Sequence, residues 1–318
     1  MGWLAFDNIE EALQDSKDIL LPFDLKIWSL FAVIILLTGY FALSFPGIPT
    51  SGGDFEGPGT DFDMGNNVPE TSVMSVQDFS DIDSFVGNFD SSSTAFTGMW
   101  ILAILFPVLL LVLTLVSSVF EFVMYNSVKE KEPRLDYVRN YLFEGLQYFI
   151  FRCLALITLL TVVFIGAVVV IANYWLALLV VPAFLLFYIF YAALRWTVFH
   201  FTLPEMIYTE SNIIEGFKSS IEVIQEEFAE VALFWFVKWI IGLVLGIGAS
   251  LIIVSGLIML AIPFLLIGAL LALITPWLAA PIVLGFVATS LAFILYLGVP
   301  IRVYLYSYVL NIYEDLFQ

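Results

Sequence analysis

The sequence predicts an all-α polytopic membrane bundle of about six transmembrane helices. They would form three hairpins, each preceded by a cytoplasmic amphipathic helix. Three observations lead there. Of the 318 residues, 61% are hydrophobic, against about 45–50% in soluble domains. Uninterrupted apolar runs over 99–119, 155–172 and 240–262 reach the length of about 18 residues that a spanning helix needs. They show none of the polar–apolar alternation of a membrane β-barrel. All 11 Lys and Arg residues can also be placed on one side of such a bundle. The whole chain, 1–318, reads as a single membrane domain.

The N-terminal segment, 1–26, holds a short amphipathic helix over 7–21. Ile9, Leu13, Ser16 and Leu20 share one face of it. Asp7 or Asn8 can cap its start, and Leu21-Pro22 ends it, because a residue before proline is biased away from helix. A first span follows over about 26–45. Its lead-in is acidic, without the basic start and small-residue cleavage site of a secretory signal.

Residues 46–97 form a long acidic loop with nine acids and no Lys or Arg. Its first half is rich in Gly, Pro, Ser and Asn and is expected to be loosely ordered. Val76, Phe79, Ile82, Phe85 and Phe89 mark a short surface helix in the second half. Asp61-Phe-Asp63-Met-Gly65 is only a fragment of a calcium-loop pattern, so a solvated surface is expected there.

A second span is predicted over about 98–120, followed by a mixed-charge segment whose part 134–148 forms another surface helix. The third and fourth spans, about 149–172 and 175–195, join tightly at Asn173-Tyr174. Residues 211–230 give the third surface helix, with a stripe of Ile213, Phe217, Ile221, Ile224 and Phe228. The fifth span starts near Val231. From there to Val299 the chain is almost continuously apolar, too long for two ordinary spans. Either two long spans are linked by a partly re-entrant segment over 256–281, or there are three spans.

Charge bears on that choice. Lys17, Lys26, Lys129, Lys131, Arg134, Arg139, Arg152, Arg195, Lys218, Lys238 and Arg302 mark the cytoplasmic side by the positive-inside bias. Both termini are then cytoplasmic and 46–97 extracellular. Six spans keep Arg302 inside; seven would put it outside. The surface helices also look repeated. Asn8-Ile9-x-Glu11-Ala12-Leu13-x-x-Ser16 matches Asn212-Ile213-x-Glu215-Gly216-Phe217-x-x-Ser220, with Glu144-Gly145-Leu146 as a weaker third copy.

The chain carries 29 acids and a net charge of −18. That argues against a nucleic-acid partner, which needs a basic face. The excess is spread over every exposed segment, which favours adaptation to high salt over a loop that attracts one cationic partner. No cofactor is expected. There is one histidine, His200, and one cysteine, Cys153, where a zinc site needs about four ligands; His200 reads as a satisfied interfacial residue. Gly242, Gly246 and Gly248 are expected to allow close helix packing. None of the acids falls within the spans assigned above, which argues against a carboxylate proton relay. Arg152, Arg195, Lys238 and Arg302 lie near inner span ends. They either snorkel and set topology or form a ring that binds anionic lipid phosphates.

Leu20-Leu21-Pro22-Phe23-Asp24, Trp28, the stretch from Ser117 to Val123 and that from Gly145 to Arg152 resemble haloarchaeal multipass membrane proteins of unassigned function. Leu203-Pro-Glu-Met-Ile with Glu215-Gly-Phe-Lys-Ser-Ser220 is more distantly similar to the membrane domain attached to some glycerophosphoryl diester phosphodiesterases. The resemblance implies a fold and a salt-loving archaeon, and no reaction. The expected role is non-enzymatic: a scaffold or accessory subunit with a protein partner or a second copy. A transporter or lipid-handling protein, with a site between the helical repeats and 256–281 as gate, is the alternative. An enzyme using Glu205, Glu215 and Arg302 at the inner rim is least expected.

Overall fold

A computed structural model of the chain describes residues 3–39, 94–274, 277 and 279–317. All regular structure among them is helical. The chain divides into two compact units, Gly52–Leu113 on the one hand and Met1–Ser51 with Thr114–Gln318 on the other. Of the first, the described part is the start of one helix, with Leu105, Phe106 and Leu113 exposed. The acidic loop, its candidate surface helix and the calcium-loop fragment lie outside the described residues.

Helix α1 runs over Leu4–Leu20 and α2 over Leu25–Leu37. The axis bends by 117° between them. The start differs from the sequence reading: Trp3 is the N-cap and offers no side-chain bond. Asn8 is buried instead and its amide is used elsewhere. Of the expected face Ser16 and Leu20 are buried, but so are Ala5, Asn8, Ala12 and Ile19, while Leu13 is exposed. Small side chains let α1 lie close on its neighbour, so they line the contact and the larger leucine is turned out.

Helix α3 spans Thr94–Lys129, past the boundary expected near 120. In place of a single surface helix over 134–148 there is a one-turn helix α4, Tyr137–Asn140, and then α5, Leu142–Ala172. The tight joint after α5 is present: the Asn173 side chain accepts from Trp175 N–H at 3.2 Å, opening a 3-10 turn before α6, Ala177–Thr197. A π-helical turn, Val198–Thr202, leads into α7, Leu203–Thr209. Helix α8, Ile213–Glu226, starts with a reciprocal cap. Asn212 Oδ1 accepts from Ile214 and Glu215 N–H, and the Glu215 carboxylate accepts from Asn212 N–H, satisfying donors a helix start leaves open.

The long apolar tract resolves as two helices, α9 over Phe228–Ile274 and α10 over Ala279–Phe317. Gly256 lies inside continuous helix that runs on to Ile274, so the described part of 256–281 forms no loop. Its 47 residues give α9 a length of about 70 Å, more than twice the hydrocarbon thickness of about 30 Å. Among the described residues five helices are long and apolar enough to cross a membrane, and six if the bent α1–α2 pair counts as one crossing.

Within the unit formed by Met1–Ser51 and Thr114–Gln318, the core gathers at one end of the helices. Ala5 and Ala12 of α1, Phe31 and Ile34 of α2, Phe122 and Tyr125 of α3, Phe201 and Met206, Phe234 of α9, and Tyr308 and Ile312 of α10 are all buried there. Away from it the helices turn apolar side chains outward: Ile171 is 85% exposed, Leu178 76% and Met259 73%. Such surfaces suit lipid, which is as apolar as they are.

Close approach is local. A Cβ on Gly145 would come within 2.8 Å of Val119 Cα, and one on Gly256 within 2.4 Å of the Phe293 ring. Gly248, expected at a packing face, has nothing within 4 Å of such an atom.

Candidate functional site

The core end holds the polar groups that a greasy bundle is least able to leave unpaired. Glu121, in the part of α3 beyond the expected boundary, is 1% exposed and accepts from Tyr306 Oη at 2.5 Å. The Tyr306 ring lies 4.5 Å from that of Tyr125. Tyr125 Oη donates to the Phe199 carbonyl at 2.9 Å. Local sequence makes that carbonyl available. Leu203 N–H donates to Val198 O in the π register, and Pro204 has no N–H to offer in turn. His200 shares this turn. It is buried, its Nδ1 donates to Trp196 O at 2.8 Å, and its ring lies 4.5 Å from Trp196.

The four basic residues singled out from sequence divide into two pairs. Arg152 Nη1 donates to Ser117 Oγ at 3.2 Å, and its guanidinium lies 5.4 Å from the Tyr148 ring centre. Arg195 and Glu121 share the electrostatic surroundings of Tyr148 with it. Ser117 also donates to Thr38 O at 2.6 Å, tying the end of α2 to α3. Lys238, on α9, feels the charge of Arg302, on α10. His200 feels the Lys238 charge too. Lys238 Nζ lies 5.7 Å from the Phe234 ring centre. Among the described residues no carboxylate lies within ion-pair distance of it.

Sequence reasoning named Glu205 as a rim acid but missed its partners and a second group of contacts. Glu205, also buried, accepts from Tyr313 Oη, and Glu314 accepts from Tyr208 Oη. Lys129 Nζ stands 3.9 Å over the Tyr208 ring. The other group locks α1 to α10. Asn8 Nδ2 donates to Asp315 Oδ2 at 2.7 Å, Tyr308 Oη to Ala5 O at 2.7 Å and Asn311 Nδ2 to Asp15 Oδ2 at 3.0 Å. Lys131 Nζ bonds Asp15 Oδ1 at 2.6 Å, and this carboxylate raises its pKa. Nearby, Tyr141 donates to Asn126 Oδ1 at 3.0 Å, and burial pushes its phenol up to about 12.

Glu121 and Glu205 sit within helices long enough to cross a membrane, shielded by protein and paired with tyrosines. Glu215, proposed with Glu205 and Arg302 for a rim reaction, is used in the α8 cap. Among the described residues no three His, Cys, Asp or Glu side chains are grouped to hold a metal.

A family model described as "Family of unknown function (DUF7544)" matches residues 3–317. The chain belongs to this family. No curated protein and no solved structure matches it. Among the described residues the core end is marked by tyrosine–carboxylate pairs that join distant parts of the chain.

Proposed function

We propose that the chain is a non-enzymatic membrane scaffold or accessory subunit. The observation behind this is how the buried carboxylates are used. Glu121 and Glu205 each take a tyrosine hydroxyl from α10, which ties distant parts of the chain together. Beyond that braced end, α5, α6, α9 and α10 present long apolar flanks, a surface for lipid or for another membrane helix. The positive-inside bias supports a cytoplasmic core end with both termini inside and 46–97 outside. The acid excess and the quoted resemblances support a salt-adapted archaeal membrane as its setting.

Photo-crosslinking from Leu178 and Met259 in native-lipid discs tests this. The expected result is one stoichiometric polypeptide adduct, either a partner or a second copy. A monodisperse monomer crosslinked to lipid alone would refute it. Lipid handling is the second reading, favoured by the Lys238–Arg302 pair at the core end of the α9–α10 hairpin.

A further inference from the structure

Helix α1 has three sides. Ala5, Asn8, Ala12 and Ser16 are buried, on the side that meets α10. Next to that side runs an apolar stripe, Phe6, Ile9 and Leu13, at the spacing that makes neighbours on a helix surface. Phe6 is 53% and Leu13 46% exposed. Asp7, Glu11, Gln14 and Asp18, all exposed, fall on the opposite flank of the buried side. Lys17 and Glu10, also exposed, border the stripe. The uncovered apolar surface continues past the end of α1. Leu21, Phe23 and Leu25 at the bend are exposed, as are Val33 and Leu36 of α2, a helix with no charge after Lys26.

The bonds of α1 decide which way the stripe faces. Tyr308 Oη reaches the Ala5 carbonyl, beside the stripe. The acidic flank meets residues nearer the helix ends. Asn311 reaches Asp15 and Asp315 accepts from Asn8, while Lys131, just beyond the end of α3, bonds Asp15. Helix α10 is uncharged before Arg302 and carries Glu314 and Asp315 in its last turn. The acids of α1 are therefore turned toward the charged ends of α3 and α10, and the stripe toward their long apolar stretches. The 117° change of axis at the bend lays α1 across the direction of α2 instead of along it.

We propose that α1 rests on the bilayer surface, with Phe6 and Leu13 seated at the boundary between headgroups and acyl chains. An interfacial amphipathic helix holds itself in this way, apolar side in lipid and charged side in water. Lys17, at the border, extends its amine to the headgroups. The partner is the lipid surface and not a second polypeptide, because the stripe is continuous with the uncharged exposed surface of α2 and faces the apolar stretches of α3 and α10. The proposal stands independently of whether the chain is a scaffold.

The test uses the full chain in phosphatidylcholine vesicles, in a Cys153→Ser background. Phe6→Cys, Leu13→Cys, Glu11→Cys and Asp18→Cys each carry one nitroxide. Their collisions with oxygen, which concentrates in lipid, are compared with those of a water-soluble nickel chelate. Labels at 6 and 13 should read about 5–10 Å into the headgroup–acyl boundary, and labels at 11 and 18 should collide mainly with the chelate. Chelate collisions at 6 and 13 as frequent as at 11 and 18 would overturn the proposal. Labels at 6 and 13 screened from both reagents would also overturn it, since a polypeptide would then cover the stripe. The wild type gives a readout that needs no variant to fold. A phosphatidylcholine bearing an aryl diazirine in its acyl chain should mark Phe6 and Leu13 and spare Glu11 and Asp18; no adduct on α1, or equal marking of both sides, overturns the assignment.

Discussion

Gly145→Ala adds a single methyl group where α5 crosses α3. That atom would stand 2.5 Å from Val119 Cγ2, 3.1 Å from its Cβ and 2.8 Å from its Cα. A flexible side-chain tip could move aside, but the last of these atoms is backbone, so one helix must shift. Overpacking of this kind costs about 1–3 kcal/mol. Against it stands the helix preference of alanine over glycine, about 0.8–1 kcal/mol. Because a backbone atom is among the contacts, the cost falls in the upper half of that range, about 2–3 kcal/mol, and the net expectation is a loss of about 1–2 kcal/mol. Gly248→Ala isolates the second effect, since nothing lies within 4 Å of its new atom, and it should stabilise by about 0.5–1 kcal/mol. Val119→Ala in the Gly145→Ala background removes the closest contact but leaves the backbone one, so it should restore only part of the loss. Apparent melting of purified protein in one detergent, followed by tryptophan fluorescence, measures all four proteins. If Gly145→Ala melts at or above the wild type while Gly248→Ala does nothing, the crossing of α3 and α5 described above is wrong.

Other perturbations reach the polar groups. Tyr306→Phe keeps the ring and removes the donor to Glu121; taking a donor from a buried acceptor predicts about 1–3 kcal/mol of destabilisation in the same melting assay. Tyr125→Phe should cost about 1 kcal/mol, because the Phe199 carbonyl loses this donor in a turn where Pro204 supplies none. Lys131→Met should cost at most about 1 kcal/mol, since the pair with Asp15 is half exposed. The raised pKa of Lys131 fixes the sign with pH. Its contribution is full below the ordinary lysine value near 10.5 and fades as pH climbs through the higher folded value, so wild type and variant should converge only in that alkaline range. Finally, cysteines at positions 8 and 315, in a Cys153→Ser background, should be joined by a short bismaleimide within one chain. Failure to join them would contradict the 2.7 Å contact between Asn8 and Asp315.

Much of the helical plan was legible because it is written locally. The apolar runs fixed most spans, Asn173 marked the tight joint, and the amphipathic stripe from Ile213 located α8. What failed was the assumption that polar residues end a span. Glu121, Asn126 and Ser127 are polar, yet α3 runs through them because other helices bury them. The same error cut off the start of α5, where Gly145 and Tyr148 face protein. On α1 the error had another source. Periodicity weighs leucine above alanine, whereas the contact with α10 selects small residues, so Ala5 and Ala12 were passed over. Of the candidate site, the cation positions were visible as charges near span ends. Their division into pairs was not, since it depends on which helices meet. Tyr306 and Tyr313 carried no signal apart from the many other aromatic residues, and only their long-range partners distinguish them.

The lock between α1 and α10 has a consequence for biogenesis. Asn8, Ala5 and Asp15 find their partners at Asp315, Tyr308 and Asn311, almost a full chain length later. During translation the first helix leaves the ribosome long before its binding surface exists. It must wait, with its small-residue face uncovered, until α10 has been made. Late long-range closure of this kind leaves nascent chains exposed to misassembly, and a product truncated before about residue 308 should therefore be recognised by membrane proteases and cleared.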